Sequence, residues 1–169
     1  MEMFCPACGH ENLEGADHCE ECMTPLTHDD IPKPTQGLQA QIMAKTIRDL
    51  NPLSPVMISQ ETSIRSAVGK MLSRNVGCIL VVRDKKLLGI VTDRDILLRV
   101  AGKDIDSEKT PVSAIMAKNP LALNEEDSIA YALNKMSVGR YRNIPFLKNG
   151  EPSGFISIKT ILRFLCRNL

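Results

Sequence analysis

The first thirty residues contain no lysine or arginine. A segment without cations is badly suited to a phosphate backbone, so nucleic-acid binding by the front of the chain is not expected. Only three histidines occur, His10, His18 and His28, and all lie in that same front segment. The body therefore has no histidine to act as a general base, and no phosphate loop of the Walker type is present. Asp93 and Asp95 are the nearest approach to a carboxylate pair, and a helix cap accounts for Asp93 more simply. With no nucleophile beside a base and no open metal, the chain is not expected to be an enzyme. No apolar run is long enough to cross a bilayer. The opening MEMFCPACGH lacks the basic and apolar regions of a secretion signal, so a cytoplasmic protein is expected.

What is present is distributed unevenly. Residues 1–30 carry eight acids, whereas the rest of the chain carries all 21 bases and the other 12 acids. A basic body attracts anions or the acidic front of a neighbour, unless these charges are simply solvated. Cysteine is concentrated in the same way. Four of the six cysteines fall within CPACGHENLEGADHCEEC, residues 5–22. Cys5 with Cys8 and Cys19 with Cys22 form two C-x2-C pairs ten residues apart. A two-residue gap lets both sulfurs of a pair turn toward one ion, and Zn²⁺ takes four thiolates tetrahedrally. Gly9 follows the first pair, where a tight knuckle favours a residue without a side chain. Two knuckles joined by a short loop predict a zinc ribbon over residues 1–27. Disulfides and iron remain the alternatives. With all four positions filled by cysteine the ion is expected to be structural, supplying the folding free energy that so short a segment lacks. His10 and His18 are candidate competing ligands or plain loop residues. Cys78 and Cys166 sit among apolar neighbours and are expected in the core.

THDDIPKPTQG, residues 27–37, reads as a linker. LQAQIMAKTIR, residues 38–48, predicts a short helix. Linker and helix are assigned to 28–45. Residues 51–100 and 119–165 then repeat one pattern. Each copy begins NPL, continues with a short strand-like run and an acidic turn, and enters an amphipathic helix at Ser63 or Ser128, each well placed as an N-cap. Ile64, Val68, Met71 and Leu72 keep helical spacing in the first copy, as do Ile129, Leu133 and Met136 in the second. CILVV and LLGIVT, or NIPFL and FISI, predict two strands before a last helix. Each copy is thus β-α-β-β-α, too small to stand comfortably alone, and two copies bury a shared face. The fold class is α+β.

CILVVRDKKLLGIVTDRDILL and NIPFLKNGEPSGFISIKTILRFL resemble the tandem cystathionine-β-synthase-type, or CBS, domains. The resemblance places the first CBS unit at 46–106 and the second at 107–169. It implies two intertwined repeats with clefts between them, a homodimer of pairs, and a regulatory role in sensing adenine nucleotides or related adenosyl ligands for a partner protein.

Without the family, GIVTDRD (Gly89 to Asp95) is a strand running into a helix. Thr92 and Asp93 then read as caps, Asp93 fitting that role better than Asp95. Alternatively, the Asp95 carboxylate accepts both hydroxyls of a ribose. The family pattern Gly–apolar–x–Thr/Ser–x–x–Asp matches Gly89, Ile90, Thr92 and Asp95, and implies that Thr92 touches the ligand while Asp95 holds its sugar. It also implies a base pocket from MAKNPL, with Met116, Asn119 and Leu121, and contacts from Tyr141 and Arg142, Arg142 meeting a phosphate with Arg140 beside it. Otherwise Tyr141 is an interface aromatic and Arg142 a surface cation. The second repeat has Gly154 and Ser157, but Thr160 replaces the acid, so one ligand site per chain is expected. AMP, ADP, ATP and S-adenosylmethionine all fit the ribose contact, and Arg142 favours a nucleotide. A nucleic-acid-associated regulator is the alternative from a different class.

Overall fold

A computed structural model describes residues 3–5, 7–12, 18–26, 45–52 and 54–168. The linker and most of the predicted helix over 38–48 lie outside the described residues. The helix does not reach Arg48. Thr46 forms an isolated bridge with Ser128, and Arg48–Leu50 is a 3-10 turn. Backbone groups of this segment are committed to distant chain instead: the Ile47 N–H donates to Asp127 O at 2.9 Å and the Ile129 N–H to Lys45 O at 2.9 Å.

Two short strands, β1 (Met3–Phe4) and β2 (Glu11–Asn12), pair antiparallel near the start. The first repeat then runs β3 (Met57–Ile58), α1 (Ile64–Arg74), β4 (Cys78–Arg83), β5 (Lys86–Thr92) and α2 (Asp93–Arg99). A further strand, β6 (Ala117–Lys118), completes the sheet order β3-β4-β5-β6. The second repeat runs β7 (Leu123–Asn124), α3 (Ile129–Gly139), β8 (Asn143–Lys148), β9 (Glu151–Ser157) and α4 (Ile158–Asn168), with sheet order β7-β8-β9. The expected β-α-β-β-α order is present twice.

The local reasons also repeat. Ser63 accepts from the Ser66 N–H, and Ser128 from the Tyr131 N–H, so each serine caps its helix as the sequence predicts. Asn75 and Arg140 close the same helices in the left-handed conformation, at φ 51° and 54°. Ile64, Ala67 and Met71 are buried on α1, and Ile129, Ala132 and Met136 on α3. Leu72, placed on the apolar face by spacing alone, is 76% exposed, because Ile64, Ala67 and Met71 centre the stripe away from it. Val81 stands opposite Gly89 and Phe146 opposite Gly154, and in each strand pair the register shifts directly after that pairing. Both glycines are close-approach positions: a Cβ would lie 2.7 Å from Met116 Sδ at Gly89, and 2.5 Å from the Phe146 ring at Gly154.

The chain forms two compact units, neither continuous in sequence: Met1–Leu50 with Glu126–Arg142 and Ile158–Leu169, and Asn51–Glu125 with Asn143–Ser157. In the second, Phe155 of β9 joins Cys78, Leu80 and Ile90 in one buried cluster. The sheets of the two repeats therefore share a core, which removes from each a face that it could not cover alone. Cys78 is buried as expected, and burial pushes its thiol pKa up, with the Asp93 charge adding to the effect. Cys166 is exposed instead, since the buried side of α4 holds Ile161.

Candidate functional site

Two knuckles bring the leading cysteines together. In the first, the Cys5 N–H donates to His10 O and the Gly9 N–H to Cys5 O. In the second, the Cys19 N–H donates to Thr24 O and the Met23 N–H to Cys19 O, the same pattern one motif later. Asn12, buried on β2, stitches them: its amide donates to His10 O at 2.8 Å and its carbonyl oxygen accepts from the Glu20 N–H at 3.0 Å. Cys5 and Cys22 sulfurs lie 3.5 Å apart, Cys8 and Cys19 sulfurs 3.4 Å apart, and all four within 4.8 Å of one another. A tetrahedral Zn–S length of about 2.3 Å requires sulfurs about 3.8 Å apart, so this set fits such an ion. Among the described residues the group is completed by cysteine alone, without His10 or His18.

The thiols do not ionise independently. The Thr24 hydroxyl and N–H lower Cys22 to about 6. Burial opposes ionisation of Cys19, but the Cys22 and Glu21 N–H groups outweigh it and lower that pKa as well. At Cys8 the His10 backbone lowers the pKa, yet desolvation and the neighbouring thiols drive it up to about 12. Four thiolates this close repel one another, and a divalent cation removes that conflict.

Gly9 (φ +75°) and Met23 (φ +58°) occupy equivalent knuckle positions. Only the first is glycine. A Cβ in this conformation costs about 1 kcal/mol, and Met23 is 69% exposed, so it has little packing to lose. Met23→Gly is expected to tighten metal binding roughly five-fold, measured by competition with a chromogenic chelator, because folding and metal binding of so small a module are one equilibrium.

The second constellation lies where β5 meets α2. Thr92 is the N-cap of α2, and its hydroxyl oxygen accepts from the Asp95 N–H at 3.2 Å. Asp95 Oδ2 accepts from the Thr92 N–H at 3.0 Å and from its hydroxyl at 2.7 Å. Thr92 and Asp95 thus form a capping box, and the preference for Asp93 as the cap acid is corrected. Asp93 occupies the first helical position, from which its carboxylate accepts the Arg94 N–H while its own N–H donates to Gly77 O.

Arg99, which the sequence reading did not single out, ties this corner to the next segment. Its Nε lies 3.4 Å from Asp95 Oδ1 and its Nη1 donates to Ile115 O at 2.8 Å. The i,i+4 spacing of Asp95 and Arg99 was the available signal. Met116–Leu121 follows directly. β6 lies beside β5, with Ala117 opposite Ile90 and Lys118 opposite Gly89. Asn119 turns the chain at φ 45° and its N–H donates to Leu88 O, while Met116 is buried. Met116 and Asn119 also line a cavity of about 240 Å³ with Arg83 and Lys118.

Tyr141 and Arg142 belong to the other compact unit, just past α3. The Tyr141 N–H donates to Met136 O and Arg142 O accepts from the Ile158 N–H, each at 3.1 Å, and both side chains are exposed. In the second repeat Ser157 and Thr160 hold the positions of Thr92 and Asp95, without a carboxylate.

The comparisons with known proteins agree with this architecture. The sequence model of the CBS domain matches residues 43–102 and 112–167. The CBS domain-containing protein CBSCBSPB1 of Arabidopsis thaliana is 34% identical over 119 residues, 70% of this chain and 22% of that protein. The chain thus spans about a fifth of the length of the first curated relatives it matches. A CBS-domain protein of Agrobacterium tumefaciens shares the fold with a TM-score of 0.65 at 29% identity, over 71% of this chain and 98% of that one. A CBS-domain protein of Pyrobaculum aerophilum, solved in complex with AMP, has a TM-score of 0.64 at 25% identity, over 73% of this chain and 99% of that one. No helix among the described residues is long and apolar enough to cross a membrane. The chain belongs to the CBS-domain family, whose members are characteristically non-catalytic regulatory modules.

Proposed function

We propose that this protein is a regulatory sensor of an adenine nucleotide of the AMP, ADP or ATP type, acting as a cytoplasmic homodimer on a partner protein. Asp95 accepts the ribose hydroxyls and Thr92 lines the sugar. Met116, Asn119 and Leu121 surround the base, and Tyr141 and Arg142, in the other compact unit, are the residues that the family resemblance assigns to the adenosine and a phosphate. The single observation that carries this reading is the Asp95 carboxylate, held by Thr92 and Arg99 with its side chain 16% exposed. Oδ2 already accepts twice from Thr92, whereas Oδ1 carries only the 3.4 Å Arg99 contact, so Oδ1 is the atom open to the ribose hydroxyls. The AMP complex of the Pyrobaculum relative supports the same ligand class.

The front module, residues 1–27, is read as a zinc ribbon holding one Zn²⁺ through Cys5, Cys8, Cys19 and Cys22 and serving as a protein-interaction adaptor. Residues 28–45 link it to CBS units at 46–106 and 107–169. Exposed Leu97 and Leu98 on α2 offer apolar surface to a second copy.

Calorimetry of zinc-loaded protein against AMP, ADP, ATP and S-adenosylmethionine tests the ligand. One site per chain is expected, with the phosphorylated ligands binding more tightly than S-adenosylmethionine. Silence with all four ligands, or two equal sites per chain, overturns the reading.

A further inference from the structure

Lys135, in the middle of α3, donates from Nζ to Ala7 O at 2.6 Å, across 128 residues of sequence. Its ammonium also lies 5.0 Å from the centroid of the Tyr131 ring. The Tyr131 hydroxyl approaches the same knuckle, 3.1 Å from where a Cβ on Gly9 would stand. Ala7 sits between Cys5 and Cys8, and its own N–H points to Cys5 Sγ at 3.4 Å. One residue of the knuckle is therefore bonded to a cysteine sulfur on one side and to α3 on the other.

Charge acts in the same direction. Residues 1–30 hold eight acids and no base, and a divalent ion on four thiolates leaves a further net charge of about −2. Residues 129–142, from the start of α3 to Arg142, contain Lys135, Arg140 and Arg142 and no acid. The two segments attract one another, most strongly at low salt.

We propose that the four-cysteine module is a metal-dependent clasp on α3, and that metal occupancy is a second input to the ligand response. The output half rests on the ligand reading above; the clasp itself does not. The described part of the module buries Cys5, Cys19 and Leu26 as its core, too little to hold the knuckles without an ion. When the ion leaves, the turn at Ala7 opens and Lys135 loses its acceptor. The start of α3 is still tied, Ile129 to Lys45 and Asp127 just before the helix to Ile47, so the loss falls on its middle and its C-terminal end. That end is the Arg140 cap and the Tyr141–Met136 and Arg142–Ile158 hydrogen bonds, which place the two side chains read as ligand contacts. An ion that steadies this end favours the ligand, and by linkage the ligand favours the ion to the same degree.

The test uses the full chain, zinc-loaded or stripped with chelator. Amide exchange without nucleotide is expected to rise across residues 129–142 on stripping, and to be raised already in zinc-loaded Lys135→Met. Unchanged exchange in that segment overturns the clasp. AMP affinity is expected to fall about five-fold on stripping, near the lower end of typical couplings. In Lys135→Met the difference between loaded and stripped protein is expected to collapse, whereas Lys70→Met, an equal charge change on α1, retains it. Equal AMP affinity with and without zinc overturns the coupling. A silent AMP titration sinks the ligand reading and the output half with it, while the exchange result still decides the clasp.

Discussion

Asp95→Asn is expected to weaken adenine-nucleotide binding on the order of 100-fold while leaving the melting temperature close to that of the parent. The affinity loss follows from the chemistry of the diol. Two ribose hydroxyls both donate, and each hydrogen bond to a charged acceptor is worth about 1.5–3 kcal/mol, so a neutral amide that offers one acceptor atom forfeits most of that. Stability depends on different contacts. The amide oxygen of asparagine can still accept from the Thr92 N–H and hydroxyl, the two contacts that close the capping box. What it gives up is the Arg99 pair, 3.4 Å long with the arginine half exposed, and such pairs contribute at most about 1 kcal/mol. Asp95→Ala differs in a useful way. It removes both the ribose acceptor and the cap, and capping substitutions cost about 1 kcal/mol of stability. Calorimetry and thermal melts on both variants separate the roles. Equal loss of affinity with a lower melting point only in the alanine variant supports a carboxylate that serves cap and ligand. Parent-like affinity in the asparagine variant would reduce Asp95 to a helix cap.

Cys19→Ser is expected to empty the metal site. Cys19 is fully buried, its sulfur lies 3.4 Å from that of Cys8, and its backbone carries both hydrogen bonds of the second knuckle. A serine hydroxyl is a poor ligand for Zn²⁺ at neutral pH, so one of four thiolates is lost from a site whose binding free energy is the folding free energy of the module. Elemental analysis of protein purified without chelator is expected to return close to one zinc per chain for the parent and almost none for the variant. Limited proteolysis is expected to cut within residues 1–26 of the variant. The unit built from Asn51–Glu125 and Asn143–Ser157 has its own buried clusters, including Ile58, Ile64, Met71, Ile79 and Val91, and is expected to survive the loss. A variant that keeps its full metal content would show that the four sulfurs are not a single site.

Where local chemistry decides the outcome, the reading from residues alone reached the structure. Both helix caps, Ser63 and Ser128, depend on a side chain and an N–H three residues away. The apolar runs CILVV and NIPFL are central strands because their length and branching leave few other ways to bury them. Two C-x2-C pairs converge because each pair is already a turn. Close range did not suffice at α2. Asp93 and Asp95 are both acids in the first turn, and only the third helical position lets the side chain reach back to the Thr92 N–H.

The order of β-α-β-β-α elements, their doubling and the capped helices were determined by the amino-acid sequence itself, since each rests on neighbours within a few residues, and the four-sulfur set was legible because each C-x2-C pair is a local turn. The tertiary structure alone decided that β6 lies against β5, that Leu72 and Cys166 face outward, that Arg99 bridges Asp95 to Ile115, and that Lys135 meets Ala7. Those outcomes join segments far apart along the chain. Which distant surfaces meet is set by the packing of all of them together, and no short window of sequence contains that sum.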